Sequence, residues 1–272
     1  MSTGIQWTDV VWNPTTGCDR VSAGCDRCYA LTMAKRLKGM GQAKYQNDGD
    51  PRTSGPGFGL TVHPDALDIP LHWRKPKLIF VNSMSDLFHP KVPTAFIASV
   101  FDVMARTPQH TYQILTKRAP RMRSLSRGAA FGEHWPLPNV WLGVSAENQE
   151  QADIRVPALL ETRASVRFVS AEPLLGPIEI PYRVRESHMP SAPDWLIIGG
   201  ESGPGARPMS PAWARDLLAQ AAHLGIAPFV KQLGAVWART WLSDDRHGGD
   251  WDDWPADLRV RNFPDTYART AA

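Results

Sequence analysis

The chain has 272 residues, 43% of them hydrophobic and 21% charged, with a formal net charge of +3. This composition excludes a wholly disordered chain, and the charge is too small for a protein that coats nucleic acid, although it permits a nucleic-acid partner. There is no run of about 18 apolar residues, and no basic segment leads into an apolar one at the start, so the sequence predicts no membrane-spanning helix, no secretory signal and a cytoplasmic location.

The first chemistry-bearing feature is a loop carrying all three cysteines, Cys18, Cys25 and Cys28, in the spacing C-x6-C-x2-C. An odd count in a cytoplasmic setting argues against a disulfide framework. Gly17 and Gly24 each precede a cysteine, and the neighbours are Asp, Arg and Ser rather than the apolar residues that surround structural cysteines. Three thiolates suit either zinc completed by His63, His72, His89 or water, or a four-iron cluster with one iron left open. The spacing alone leaves both centres open.

Residues 29–40 then read as a helix, with Leu31, Ala34 and Leu37 at helical intervals. Residues 41–76, rich in Gly and Pro, read as a long irregular segment. From residue 77 a rhythm sets in, in which a short apolar run ends in polar residues and a helix follows. The runs are 78–81, 111–115, 140–144, 166–169, 195–198 and 228–230; the clearest helices are 93–106, 119–128, 149–161 and 211–224. The segment before residue 77 is expected to supply a further strand.

Apolar strands alternating with helices indicate a parallel sheet covered on both faces. The fold class is therefore α/β, a partial (β/α)6-type TIM-like barrel with parallel strands. The expected organisation is a barrel over 1–235 with an N-terminal cysteine loop, and an irregular C-terminal tail, 236–272, packed on it. In such folds the active site forms at the carboxyl ends of the strands. Polar residues gather there: Ser83, Ser85, Asp86, Lys117, Arg118, Ser145, Glu147, Asn148, Glu172, Glu201, Lys231 and Gln232. Any one of these can be a helix cap or face solvent. Six successive polar ends describe a polar cavity, with the cysteine loop on the same rim.

The three-cysteine loop ending in Cys28-Tyr29, followed by these repeated units over residues 10–235, resembles the radical S-adenosylmethionine superfamily. More closely, the chain is similar to a phage-associated family of uncharacterised proteins with an N-terminal three-cysteine motif. The matching segments include Trp12-Asn13-Pro14, Gly24-Cys25-Asp26-Arg27-Cys28-Tyr29-Ala30, Ser83-Met84-Ser85-Asp86, Thr116-Lys117-Arg118, Ser170-Ala171-Glu172-Pro173, Gly199-Gly200-Glu201-Ser202 and Val230-Lys231-Gln232. Two features depart from the superfamily pattern: the first cysteine gap is six rather than three, and the Gly-Gly-Glu element comes late. A serine, a lysine and a serine at successive strand ends also resemble the spore photoproduct lyase branch, at Ser83 or Ser85, Lys117 and Ser145.

The resemblance implies a [4Fe–4S] cluster on Cys18, Cys25 and Cys28, with S-adenosylmethionine on the open iron. It implies reductive cleavage of that cofactor to a 5′-deoxyadenosyl radical, which takes hydrogen from a substrate, and an external one-electron reductant. Lys117 would neutralise the cofactor carboxylate; Ser83, Ser85 and Ser145 would donate to its oxygens; Asp86 or Glu147 would accept from its ammonium or ribose; and Tyr29 would border the adenine. Glu172, Glu201, Arg207 and Lys231 are left as candidates on the substrate side.

The segment 117–127 holds Lys117, Arg118, Arg121, Arg123 and Arg127 and no acidic residue. It reads either as a solvated helix face or as a strip for phosphates, and the second reading favours a nucleic-acid base or nucleotide as substrate. A separate partner protein is also compatible with the sequence. The competing expectations are a zinc-binding, non-catalytic nucleic-acid-binding protein and a zinc hydrolase using Glu172 or Glu201 as base.

Overall fold

The structure, a computed structural model, describes residues 4–184 and 190–265. The fold is α/β, of the partial-barrel class with parallel strands, built on a seven-stranded sheet. By compactness the chain divides into two units, Met1–Leu142 with Thr162–Ser165, and Gly143–Glu161 with Val166–Ala272. No helix among the described residues is long and apolar enough to cross a membrane.

The first unit opens with β1 (Val10–Trp12) and the two-residue β2 (Thr15–Thr16), followed by the cysteine loop and α1 (Tyr29–Gly39). β3 (Thr61–Val62), β4 (Leu78–Val81), α2 (Thr94–Arg106), β5 (Thr111–Thr116) and α3 (Ala119–Arg127) follow. β1 pairs parallel with β4, and β4 with β5. β1 is thus the further strand expected before residue 77, and the cysteines occupy the first strand-to-helix loop. The segment read as irregular contributes β3, which pairs antiparallel with β2 through Thr15–Val62 and Thr16–Thr61. All four residues of β4 are buried, which is why this strand reads as an unbroken apolar run. α2 buries Ile97, Val100, Phe101 and Met104 on one stripe at helical spacing.

The chain passes between the units within β6 (Val140–Ser145). The second unit then has α4 (Gln149–Leu160), β7 (Val166–Ala171), a small hairpin of β8 (Arg183–Val184) with β9 (Pro190–Ser191), β10 (Trp195–Gly199), α5 (Pro211–Leu224), β11 (Ala227–Gln232) and α6 (Ala235–Thr240). β10 lies between β7 and β11 and pairs parallel with both. The Asn148 side chain caps α4 by accepting from the Gln151 N–H at 3.1 Å, and Ser210 caps α5. The described part of the tail packs on this unit: the Trp195 indole donates to the Asn262 carbonyl at 2.9 Å and stacks on Phe263. Residues 266–272 of the expected tail lie outside the described residues.

One buried hydroxyl chain in the first unit carries a pH consequence. Thr107 donates to the Val103 carbonyl at 2.6 Å and accepts from the Tyr112 hydroxyl at 2.6 Å, so Tyr112 must keep its proton for the chain to form. Burial pushes its pKa up to about 12, with the Thr107 bond acting the other way. The unfolded chain loses this proton near pH 10, as a free tyrosine does, while the folded chain retains it. The stabilisation is therefore complete below about pH 10 and is lost as pH rises toward 12, roughly 2–3 kcal/mol in all. Denaturant unfolding of the wild type across this range is expected to show the decline, and Tyr112→Phe is expected to flatten it; parallel curves would refute the assignment.

Candidate functional site

The cysteine loop is fixed at its start by Gly17. This residue has φ of +84°, and a Cβ there would run into the Gly59 carbonyl, so the loop needs glycine for both its conformation and its packing. The Gly17 N–H bonds to the Met84 carbonyl at 3.0 Å and the Cys18 N–H to the Phe58 carbonyl at 3.3 Å. Cys25 closes a 3-10 turn, Ala23–Cys25, and Cys28 caps α1, its N–H bonding back to the Cys25 carbonyl at 3.2 Å.

The Cys18 sulfur accepts from Arg118 Nη1 at 3.3 Å. The same nitrogen donates to Asp86 Oδ2 at 2.9 Å, and Arg118 Nη2 donates to the Asp19 carbonyl at 3.0 Å. Asp19 anchors the loop from the other side. Its Oδ1 accepts from Thr53 and Ser54, each at 3.0 Å, and its Oδ2 from His89 Nε2 at 3.0 Å, with Lys91 Nζ at 3.5 Å. Burial, the largest single effect on the Asp19 carboxyl, raises its pKa; the hydrogen bonds from Ser54, Thr53 and His89 and the Lys91 charge outweigh it and hold the group below the usual range.

The thiols respond to their surroundings in the opposite direction. Burial first, then the Asp86 charge, pushes Cys18 up to about 12 against the lowering influence of Arg118. Burial likewise raises Cys28, against the charge of Lys117. The charge of Cys25 acts on both of the others. Without a metal, Cys18 and Cys28 are held as protonated thiols; a bound metal ion supplies the charge needed to take the protons.

The other expected site residues of this unit divide by role. Tyr29, the first residue of α1, is exposed and its hydroxyl donates to the Ser83 carbonyl. Ser83 Oγ donates to Asn13 Oδ1 at 3.3 Å, and Ser85 Oγ shares a 2.7 Å bond with Thr15 Oγ1. Lys117 follows β5 directly and sits near enough to Cys28 for its charge to act there. Asp86 is buried, and both its oxygens are taken. Oδ1 accepts from the Phe88 N–H and Thr116 Oγ1, and Oδ2 from Thr116 Oγ1, the Lys117 N–H and Arg118.

In the second unit, Ser145 ends β6 and its carbonyl accepts from Arg155 Nη1 at 2.9 Å. Glu147 is fully buried and pairs with Arg155 at 2.9 Å. Glu172 pairs with Lys231 of β11. Glu201 holds Arg207 in a fork, Oε2 accepting from its backbone N–H at 2.8 Å and its Nε at 2.9 Å, with Nη2 on Oε1. The four substrate-side candidates are therefore two carboxylate–cation pairs.

Asp19, Arg118 and Arg155 are site residues to which the sequence assigns no role, although Arg118 is among the polar strand ends. Position next to Cys18 and Lys117 was the available signal for the first two; for Arg155, in the middle of α4, there was none. The structure also redistributes the basic strip. Arg118 points to Cys18 and Asp86, and Arg121 donates to the carbonyls of His89 and Val92.

The three thiols supply the donor chemistry of a sulfur-held metal centre. Among the described residues, however, no three His, Cys, Asp or Glu side chains are gathered into a group that could hold a metal ion. The histidines that the sequence offers to a zinc site differ in their engagement. His63 Nε2 meets Thr16 Oγ1 at 2.8 Å, and because that hydroxyl donates to the Lys44 carbonyl, the histidine is the donor. His89 Nδ1 accepts the Lys91 N–H at 3.2 Å, so its Nε2 carries the proton given to Asp19, and both ring nitrogens are used. His72 is exposed on the 3-10 turn Ile69–His72. Of these histidines only His89 has both ring nitrogens engaged, so the three thiols match either a cluster with one iron open or a zinc completed by a histidine or water.

No curated protein and no solved structure matches the chain. A family model described as a protein of unknown function matches residues 2–257, nearly the whole length. The chain belongs to this family, DUF5131, whose function is not established.

Proposed function

We propose that this protein is a radical S-adenosylmethionine enzyme in which Cys18, Cys25 and Cys28 hold a [4Fe–4S] cluster with one iron open to the cofactor. The observation that carries the reading is a loop that brings all three of the chain's thiols into the first strand-to-helix position. When bound, such a cluster supplies the one-electron cleavage of S-adenosylmethionine that allows hydrogen to be taken from a substrate. The chain's own contribution is to hold and shield. Gly17 and Asp19 fix the first cysteine, and Lys117 offers a cation beside Cys28 for the cofactor carboxylate. Ser83 and Ser85 stand on the loop after β4, their hydroxyls bonded to Asn13 and Thr15, and Tyr29 follows the last cysteine.

In this reading an external one-electron donor is required and the cytoplasm is the working compartment. A nucleic-acid base or nucleotide is the preferred substrate class. The basic segment 117–127 supports that class as a phosphate-facing strip, with Arg118 and Arg121 serving the fold. Glu172 with Lys231 and Glu201 with Arg207 are the polar pairs assigned to the substrate.

The test is metal analysis with electron paramagnetic resonance after anaerobic reconstitution. The wild type is expected to hold about four irons with matching sulfide, and its reduced spectrum is expected to change when S-adenosylmethionine is added. Replacing any one of Cys18, Cys25 or Cys28 by Ala is expected to abolish the spectrum. One tightly held zinc and no iron after the same treatment would overturn the reading in favour of a zinc protein.

A further inference from the structure

We infer that Arg118 is a positioning residue for the thiolate centre, holding the Cys18 sulfur, the Asp19 carbonyl and the Asp86 carboxylate together through one guanidinium. The inference rests on the metal-centre reading above and extends it to a residue that ligates nothing. Arg118 is only 11% exposed in its side chain, and its carboxylate partner Asp86 8%. A buried ion pair alone would be satisfied by Asp86. Arg118 does more: Nη1 divides its donation between Asp86 at 2.9 Å and Cys18 at 3.3 Å, while Nη2 reaches the Asp19 carbonyl at 3.0 Å. The rigid planar fork of arginine serves three acceptors on two chain segments at once, which a lysine ammonium on its flexible stem does not reproduce.

Two consequences follow for a metal bound at Cys18. The sulfur is held in place before metal arrives, because the residue after it is gripped at its carbonyl by Arg118 and at its carboxylate by Thr53, Ser54 and His89. In addition, a hydrogen bond and a positive charge at a ligating sulfur favour the more negative, reduced state of an iron–sulfur centre and so raise its reduction potential. A residue that served only the fold would leave that potential unchanged.

The experiment compares wild type, Arg118→Ala and Arg118→Lys as full-length protein. One arm reconstitutes each with ferrous iron and sulfide and measures iron retention and the midpoint potential. The other titrates metal-free protein with cobalt(II), read by its sulfur-to-metal absorption. Arg118→Ala is expected to lose affinity for both metals by about 10–100-fold, as removal of outer partners of metal ligands does. The cluster it retains is expected to be harder to reduce, and Arg118→Lys, keeping the charge without the fork, is expected to fall between. If Arg118→Ala misfolds, the lysine variant decides alone: affinity and potential equal to wild type overturn the inference. A wild type that binds cobalt through sulfur but assembles no cluster defeats the radical-enzyme reading and leaves Arg118 to the cobalt arm. A wild type that binds neither metal defeats both.

Discussion

Glu147→Ala is expected to destabilise the protein by about 3–5 kcal/mol, a fall in Tm on the order of 10 °C. The carboxylate and its partner Arg155 are both removed from water, at 0% and 1% side-chain exposure. The pair closes a short circuit in the second unit, because Arg155 Nη1 also donates to the Ser145 carbonyl at 2.9 Å, and the Leu175 N–H bonds to the Glu147 carbonyl at 2.8 Å. Removing one member of such a pair leaves a buried charge without its counter-ion, which costs far more than the pair contributes over an apolar substitute. The double replacement Glu147→Met with Arg155→Met is therefore expected to recover most of the lost stability. Thermal unfolding of the three variants checks this. A single substitution costing under about 1 kcal/mol would mean that the charge reaches water or another partner, and a double variant as unstable as the single would mean that packing dominates.

This expectation separates two roles that the sequence cannot tell apart. A carboxylate at a strand end looks the same whether it faces a ligand or turns inward, since residue type gives acceptor capacity but not direction. Glu147 turns inward because Arg155, eight residues on in α4, reaches back to it. Nothing in the helical pattern of residues 149–160 marks that arginine as buried. Arg118 and Arg121 were misleading for the same reason: in a segment with no acidic residue they resemble a solvated or phosphate-facing strip, while their acceptors, Asp86 and the carbonyls of His89 and Val92, lie about thirty residues earlier in the chain.

The legible features depend on local rules. β4, β6 and β10 are buried along their whole length, so each appears as a continuous apolar run. The cysteine loop was legible from composition and spacing, and Gly17 from its place before Cys18. β1 has only three residues and β2 and β3 two each, too short to show any period. Their pairing is set by long-range contacts, such as the Thr15 N–H on Asn82 Oδ1 at 3.2 Å, that no window of sequence contains.

The second large effect is expected at Asp86, and it has two readouts that must move together. Asp86→Asn keeps the shape of the side chain but replaces one acceptor oxygen with an NH2 group facing the donors that now bond there. Those donors are the N–H groups of Phe88 and Lys117, the Thr116 hydroxyl and Arg118. At least one buried donor loses its acceptor, and the Arg118 guanidinium loses its counter-charge, so a destabilisation of about 3–5 kcal/mol is expected. The second readout follows from the charges around Cys18. Burial contributes most to the elevation of that thiol to about 12, the Asp86 charge adds to it, and Arg118 opposes it. With the carboxylate gone, the guanidinium acts on the sulfur without competition, and the Cys18 pKa is expected to fall. More thiolate is then present at a given mildly alkaline pH, and alkylation of Cys18 in the metal-free protein is expected to quicken relative to wild type. Mass spectrometry of alkylated peptides measures this beside a thermal melt. A melt lowered as expected with Cys18 no more reactive would show that Asp86 supports the fold without setting the charge at the sulfur. An unchanged melt would show that its oxygens are not the acceptors described here.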